Sequence, residues 1–119
     1  MTIISGVINN ISEGVLDMMF TGNNKVAINV DSIAVGKRIL EENEKYKVIC
    51  FNFESGKGLP NHSHHGEASI LVWDGRVNIE FNNGEKCSLI KGDFLRFDAR
   101  VEHSVIAEGL TKVIITIQK

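Results

Sequence analysis

Three of the four histidines in this 119-residue chain lie in one short run, Pro60-Asn61-His62-Ser63-His64-His65-Gly66-Glu67, and the fourth, His103, lies far downstream in Arg100-Val101-Glu102-His103-Ser104-Val105. On an extended segment an H-x-H pair turns both imidazoles to one face, because side chains alternate along a strand with period two. A third histidine on a facing strand can complete a metal-binding face. Imidazole suits zinc, copper, iron and nickel alike, so the ligand type names no metal. A plainer reading stands beside this one: neighbouring histidines often lie in a solvated loop, and a single residue such as His103 is often simply packed. Residue types alone leave both readings open.

The elements that must position these residues read as strand after short strand. Val26, Ile28 and Val30 alternate with polar or small residues, Tyr46 to Phe53 is a nearly continuous apolar strand, and Ala68 to Trp73 is another. Val77, Ile79 and Phe81 alternate again, as do Val101 to Ala107 and Val113 to Ile117. These are half-buried strand patterns. Asp74-Gly75 and Asn83-Gly84 carry the chemistry of two-residue hairpin turns, and Gly56, Gly58, Gly92 and Gly109 mark further turns. A short helix or turn around Asn10 to Met19 is the one helical expectation. Many short strands with glycine-rich turns predict an all-β sandwich or barrel. Ile3, Ile4, Val7, Ile8 and Ile11 give the first 25 residues enough apolar character to pack, as an N-terminal extension of a single domain over 1–119.

Composition narrows the function. The chain is 43% hydrophobic and 24% charged with a formal net charge of -2, which gives no electrostatic case for nucleic acid or an anionic membrane. No basic n-region precedes an apolar h-region at the N-terminus, and no apolar run is long enough to span a bilayer, so a cytoplasmic protein is expected. Two cysteines make no disulfide framework; Cys50, inside Val48-Ile49-Cys50-Phe51, reads as a small core residue. Gly56-Lys57-Gly58 lacks the spacing and following helix of a phosphate loop and reads as a turn.

The spacing of the two histidine segments resembles the cupin family. Its first motif is a glycine, five residues, H-x-H, three or four residues, a glutamate, six residues and a glycine; here Gly56, His62, His64 and Gly75 fall at those places. The second motif begins at Gly92 and brings His103 to the histidine position, while Asp98, Arg100 and Ala107 stand where the family has proline, glycine and asparagine. Together the motifs span 56–107. The resemblance implies a double-stranded β-helix, the jelly-roll barrel of RmlC-like proteins, assembled as a homodimer. It implies metal ligands at His62, His64 and His103. The family's glutamate position holds Ala68, and Glu67 is one residue early, which in a regular strand points to the opposite face. Glu67 and His65 are the substitutes to consider.

Several activities fit that site. The resemblance implies a small-molecule-binding protein with a divalent iron, manganese, nickel, copper or zinc ion. It also leaves room for a metal-dependent dioxygenase on a small thiol, diketone or organic acid, and for a metal-free sugar isomerase, epimerase or sensor. Three neutral ligands leave the metal charge uncompensated, which favours an anionic partner. Arg96 and Arg100 can hold a carboxylate bidentately, or can pair on the surface with Asp93, Asp98 or Glu102. Phe53 and Tyr46 are further ligand-contact candidates, and Trp73, Phe51, Phe81, Phe94 and Phe97 are expected mostly in the core.

Overall fold

The computed structural model describes residues 18–20 and 25–119. Two compact units divide between Ala34 and Val35. In the first, β1 (Met18–Phe20) pairs antiparallel with β2 (Val26–Ile28). The helix or turn expected around Asn10 to Met19 lies outside the described residues except for Met18 and Met19, which belong to β1. Val30 does not continue the strand alternation. It opens a 3-10 turn, Val30–Ser32, because the Asn29 side chain accepts the Asp31 N–H at 3.0 Å and so caps the turn.

The second unit is an all-β barrel of seven strands: β3 (Gly36–Glu42), β4 (Tyr46–Phe53), β5 (Gly58–His62), β6 (Glu67–Phe81), β7 (Lys86–Ile90), β8 (Phe94–Asp98) and β9 (His103–Gln118). Two long strands build it. β6 and β9 pair with each other from Ala68↔Ile117 at one end to Phe81↔His103 at the other. On one half of their length they are flanked by β4 and β8, with β3 outside β4. On the other half they are flanked by β5 and β7. Every pairing is antiparallel, and the two halves form the paired sheets of a double-stranded β-helix.

β6 runs through Asp74-Gly75, where the sequence predicts a hairpin. The register with β9 slips at Val72/Asp74 and again at Asp74/Arg76, which marks a bulge: the buried residues change from Ala68, Ile70 and Val72 to Val77 and Ile79. One inserted residue bends the strand without reversing it. Gly75 has φ +94, and a Cβ there would strike the backbone of Leu110 and Thr111. Thr111 fills the bend, since its Oγ1 accepts the Arg76 N–H at 3.1 Å and donates to the Arg76 carbonyl at 3.0 Å. Gly109 likewise bends β9 at φ +77 and does not end it. Asn83-Gly84 does make the expected hairpin turn, with the Gly84 N–H bonded to the Phe81 carbonyl at 3.0 Å.

The core of this unit is Phe53, Ile70, Val72, Val77, Ile79, Val105, Ala107, Val113 and Ile115. Cys50 is fully buried and both cysteines are free thiols. Trp73 and Phe94, expected in the core, are exposed at 37% and 64%. Each has the parity that faces away from the barrel axis, opposite Val72 and Leu95. No helix among the described residues is long and apolar enough to cross a membrane.

Candidate functional site

His62 ends β5 and His103 begins β9, and the two are register partners across the β5–β9 ladder. That pairing needs β5 to lie hard against β9. Gly58 allows it, because a Cβ there would collide with the Val105 carbonyl. Gly58 therefore serves close approach inside a strand and not the turn its type suggested. His64 follows the end of β5 in irregular backbone. It is fixed there by a short ladder to the turn before β9: the His64 N–H bonds the Ala99 carbonyl at 2.8 Å and the Ala99 N–H bonds the Gly66 carbonyl at 2.9 Å. Ala99 is fully buried. The turn around it is closed by Asp98, whose carboxylate accepts the Arg100 backbone N–H at 3.0 Å and its Nε at 2.8 Å. An Asp–Arg clasp thus stands where the motif has proline and glycine.

The three imidazoles gather at one place. Ring centres are 4.4 Å apart for His62 and His103, 5.0 Å for His62 and His64, and 6.3 Å for His64 and His103. Two rings are held by their own backbone. His62 Nδ1 lies 2.7 Å from the Pro60 carbonyl, and His103 Nδ1 lies 2.8 Å from the Val101 carbonyl. A carbonyl only accepts, so each Nδ1 carries a proton, and in the neutral ring the lone pair then lies on Nε2. His103 is 3% exposed, and the edge of Phe97 packs against it at 4.9 Å. Burial pushes the His103 pKa down, partly offset by the Val101 hydrogen bond, and His62 pushes it down further. Burial also lowers the His64 pKa, with His62, His103, His65 and Lys47 adding to the effect. Neutral imidazole is the form each environment favours.

The histidines line a cavity of about 220 Å³. Its walls are Ile49, Phe51, Leu59, Ala68, Ile70, Ile79, Phe97, Val105, Ile115 and Ile117, together with Lys37 and Lys47. No Asp or Glu is among them. Ala68, at the position of the family glutamate, is 5% exposed and offers only a methyl group. Among the described residues no group of three or more His, Cys, Asp or Glu stands in an arrangement that holds a metal ion.

The remaining candidates lie elsewhere. Glu67 is exposed on the opposite face of β6, as its one-residue offset requires, with its N–H on Gln118 Oε1 at 3.1 Å. His65 and Glu67 border a shallow polar depression with Arg100. Arg100 is tied to Asp98 at 2.8 Å. Arg96 and Tyr46 share an outer hollow with Phe94 and do not reach the histidine cavity. Phe53 is buried in the core and stacks on Phe51 at 5.2 Å. The two cationic residues that do line the cavity, Lys37 and Lys47, are absent from the sequence-based candidates. Lys47 shares the parity of Ile49 and Phe51, and Lys37 is the cross-strand partner of Phe51. That register is the signal that exposes both.

The family model described as a cupin domain matches residues 50–117. Among solved structures, a cupin superfamily protein from Desulfitobacterium hafniense superposes with a TM-score of 0.70 at 19% identity, over 75% of this chain and 85% of that one. An RmlC-like cupin from Desulfovibrio desulfuricans superposes with a TM-score of 0.64 at 28% identity, over 84% of this chain and 96% of that one. KdgF from Halomonas does so with a TM-score of 0.61 at 25% identity, over 69% of this chain and 76% of that one. No curated protein matches the sequence at a significant level.

Proposed function

The chain belongs to the cupin family, and from that premise we propose that its cavity is a small-molecule site built on a three-histidine centre for a divalent transition metal. The observation that carries this reading is the pair of Nδ1–H bonds to Pro60 and Val101. Metal-bound histidines commonly donate the other ring nitrogen to a carbonyl, which fixes the tautomer and aims the free lone pair. His62 and His103 both have that arrangement.

The donor set fits the ion in chemistry and in part in spacing. Nitrogen ligands about 2.0–2.1 Å from a metal put the ring centres of adjacent imidazoles roughly 4.5–5 Å apart. His62 stands at 4.4 and 5.0 Å from its two neighbours, whereas His64 and His103 are 6.3 Å apart. The reading therefore requires the His64 side chain to turn toward His103 on loading. When bound, the ion would supply a Lewis acid that polarises an oxygen of the ligand. The chain's own residues do the rest: Phe97 and Phe81 pack against His103 and exclude water beside it, Ala68 leaves room where a carboxylate would otherwise crowd the centre, and the aromatic and aliphatic walls take the ligand body.

Elemental analysis of protein purified without chelators tests the proposal. One equivalent of a transition metal is expected in the native chain and loss of it in the H62A/H64A double variant. No metal above background, after anaerobic reconstitution with iron, manganese, nickel, copper and zinc, refutes it.

A further inference from the structure

We infer that the ligand is a small organic acid whose carboxylate is held by Lys37 and Lys47 and whose apolar body lies against Phe51 and Phe97. The inference rests on the reading of this cavity as the ligand site. It does not depend on the metal.

Three observations lead to it. The first is charge. The cavity lining contains two lysines and three histidines but no carboxylate. Neither lysine forms an ion pair with a described residue. The acid directly across the strands from Lys47 is Glu42; its Oε2 accepts Lys119 Nζ at 2.9 Å, and Lys47 and Lys37 act on it more weakly, without an ion-pair contact. Two ammonium groups at the edge of an apolar cavity focus a positive potential into it.

The second is position. Lys47 continues the inward face of β4 beyond Ile49 and Phe51, and Lys37 stands opposite Phe51 on β3. Lys37 is exposed and Lys47 half-buried. A long side chain in this position buries its methylene stem along the wall and keeps its charge at the wet end. The charged heads therefore suit an acidic head group, and the ring-lined interior suits an apolar body.

The third is size. At about 220 Å³ the cavity falls below the roughly 300–1,000 Å³ typical of drug-sized ligand sites. That excludes swallowing a nucleotide sugar and favours a compact acid. A singly charged carboxylate also costs less to take from water into such walls than a doubly charged phosphate ester.

Benzoate and benzamide share a ring and differ in head-group charge. Calorimetric titration of both into the whole chain, once chelated and once loaded with zinc, tests the inference. Benzoate is expected to bind about tenfold more tightly than benzamide in both forms. The K37M/K47M variant should bind the two alike, while K37R/K47R keeps the preference; a thermal midpoint and a zinc content matching the native chain confirm that each variant is folded. If zinc does not bind but the lysine-dependent preference persists, the inference stands on the lysines alone, and the five-metal reconstitution decides the metal reading separately. If the preference exists only with zinc and survives the methionine substitutions, the anion belongs to the metal and the inference is overturned. Equal binding of both probes, or binding of neither, overturns it as well.

Discussion

The same two strands make opposite environments in their middles and at their tips. Where β6 and β9 bend, the register pairs Val72↔Val113 and Val77↔Ala107 close a floor in which each valine is fully buried. At the tips, Ala68↔Ile117 and Phe81↔His103 diverge around the cavity. At the floor the Thr111 hydroxyl serves both the N–H and the carbonyl of Arg76. At the mouth the rings of His62 and His103 line the cavity, with Nδ1 of each held by its own backbone. Packing is spent on stability at one end so that the other end can hold unmet bonding capacity, the usual division between a rigid scaffold and a site.

Breaking the floor should have the largest effect. Gly75→Ala forces an L-residue to φ +94 and pushes a Cβ into the Leu110 and Thr111 backbone. Strain of that kind costs about 1–3 kcal/mol before the steric contact is added. A loss of about 3 kcal/mol is expected, read as a lower urea midpoint with an unchanged slope. His64→Ala in chelated protein removes a half-buried ring from the mouth and should cost clearly less. If the two variants lose equal stability, the division between floor and mouth fails.

Acidification sharpens the same comparison, because the mouth holds the titrating groups. His64 and His103 have pKa values below the usual 6.5, chiefly through burial. The unfolded chain therefore binds more protons than the folded one as the pH drops below that value. Their contribution is fully present above about pH 6.5 and is lost as pH falls through the depressed folded values. Glu42 and Asp98, whose pKa values are lowered by Lys119 and Arg100 respectively, contribute with the same sign. Their usual values are 4.5 and 3.8, so a scan kept above about pH 5 isolates the histidines. The urea midpoint of chelated protein should fall across that range, and His103→Phe should flatten the fall. A midpoint independent of pH in the native chain would contradict the buried, neutral state assigned to these rings.

How much of this was legible in the sequence depends on what fixes each feature. The bounds of β4, Tyr46–Phe53, follow from its apolar run alone. The gathering of His62, His64 and His103 follows from the motif spacing, and the outward turn of Glu67 from strand parity. The continuity of β6 does not follow, since Asp-Gly serves a hairpin and a bulge equally well. Only Thr111, 35 residues away on β9, decides between them. Lys47 was hidden for a different reason. β4 is apolar on both faces, so its alternation carries no sign of which parity meets the cavity. The tautomers of His62 and His103 depend on carbonyls two residues upstream, whose direction is a property of the folded backbone.

Arg96 and Arg100 give the smallest expected effect and the finest test of the mouth's boundary. Both sit beside the His103 segment in sequence, where a carboxylate clamp and a surface ion pair are the two readings the residue types allow. Arg96 lies in an outer hollow with Tyr46 and Phe94, and the Arg100 guanidinium is taken by both oxygens of Asp98, at 2.8 and 2.9 Å. Exposed pairs of this kind contribute little to stability. Arg96→Ala should leave benzoate affinity, metal content and thermal midpoint unchanged. Arg100→Ala should leave benzoate affinity unchanged but loosen the turn that presents Ala99 to His64, giving a small rise in the metal dissociation rate. A loss of benzoate affinity in either variant, comparable with that in K37M/K47M, would move the acid-binding edge from β3 and β4 to the opposite wall.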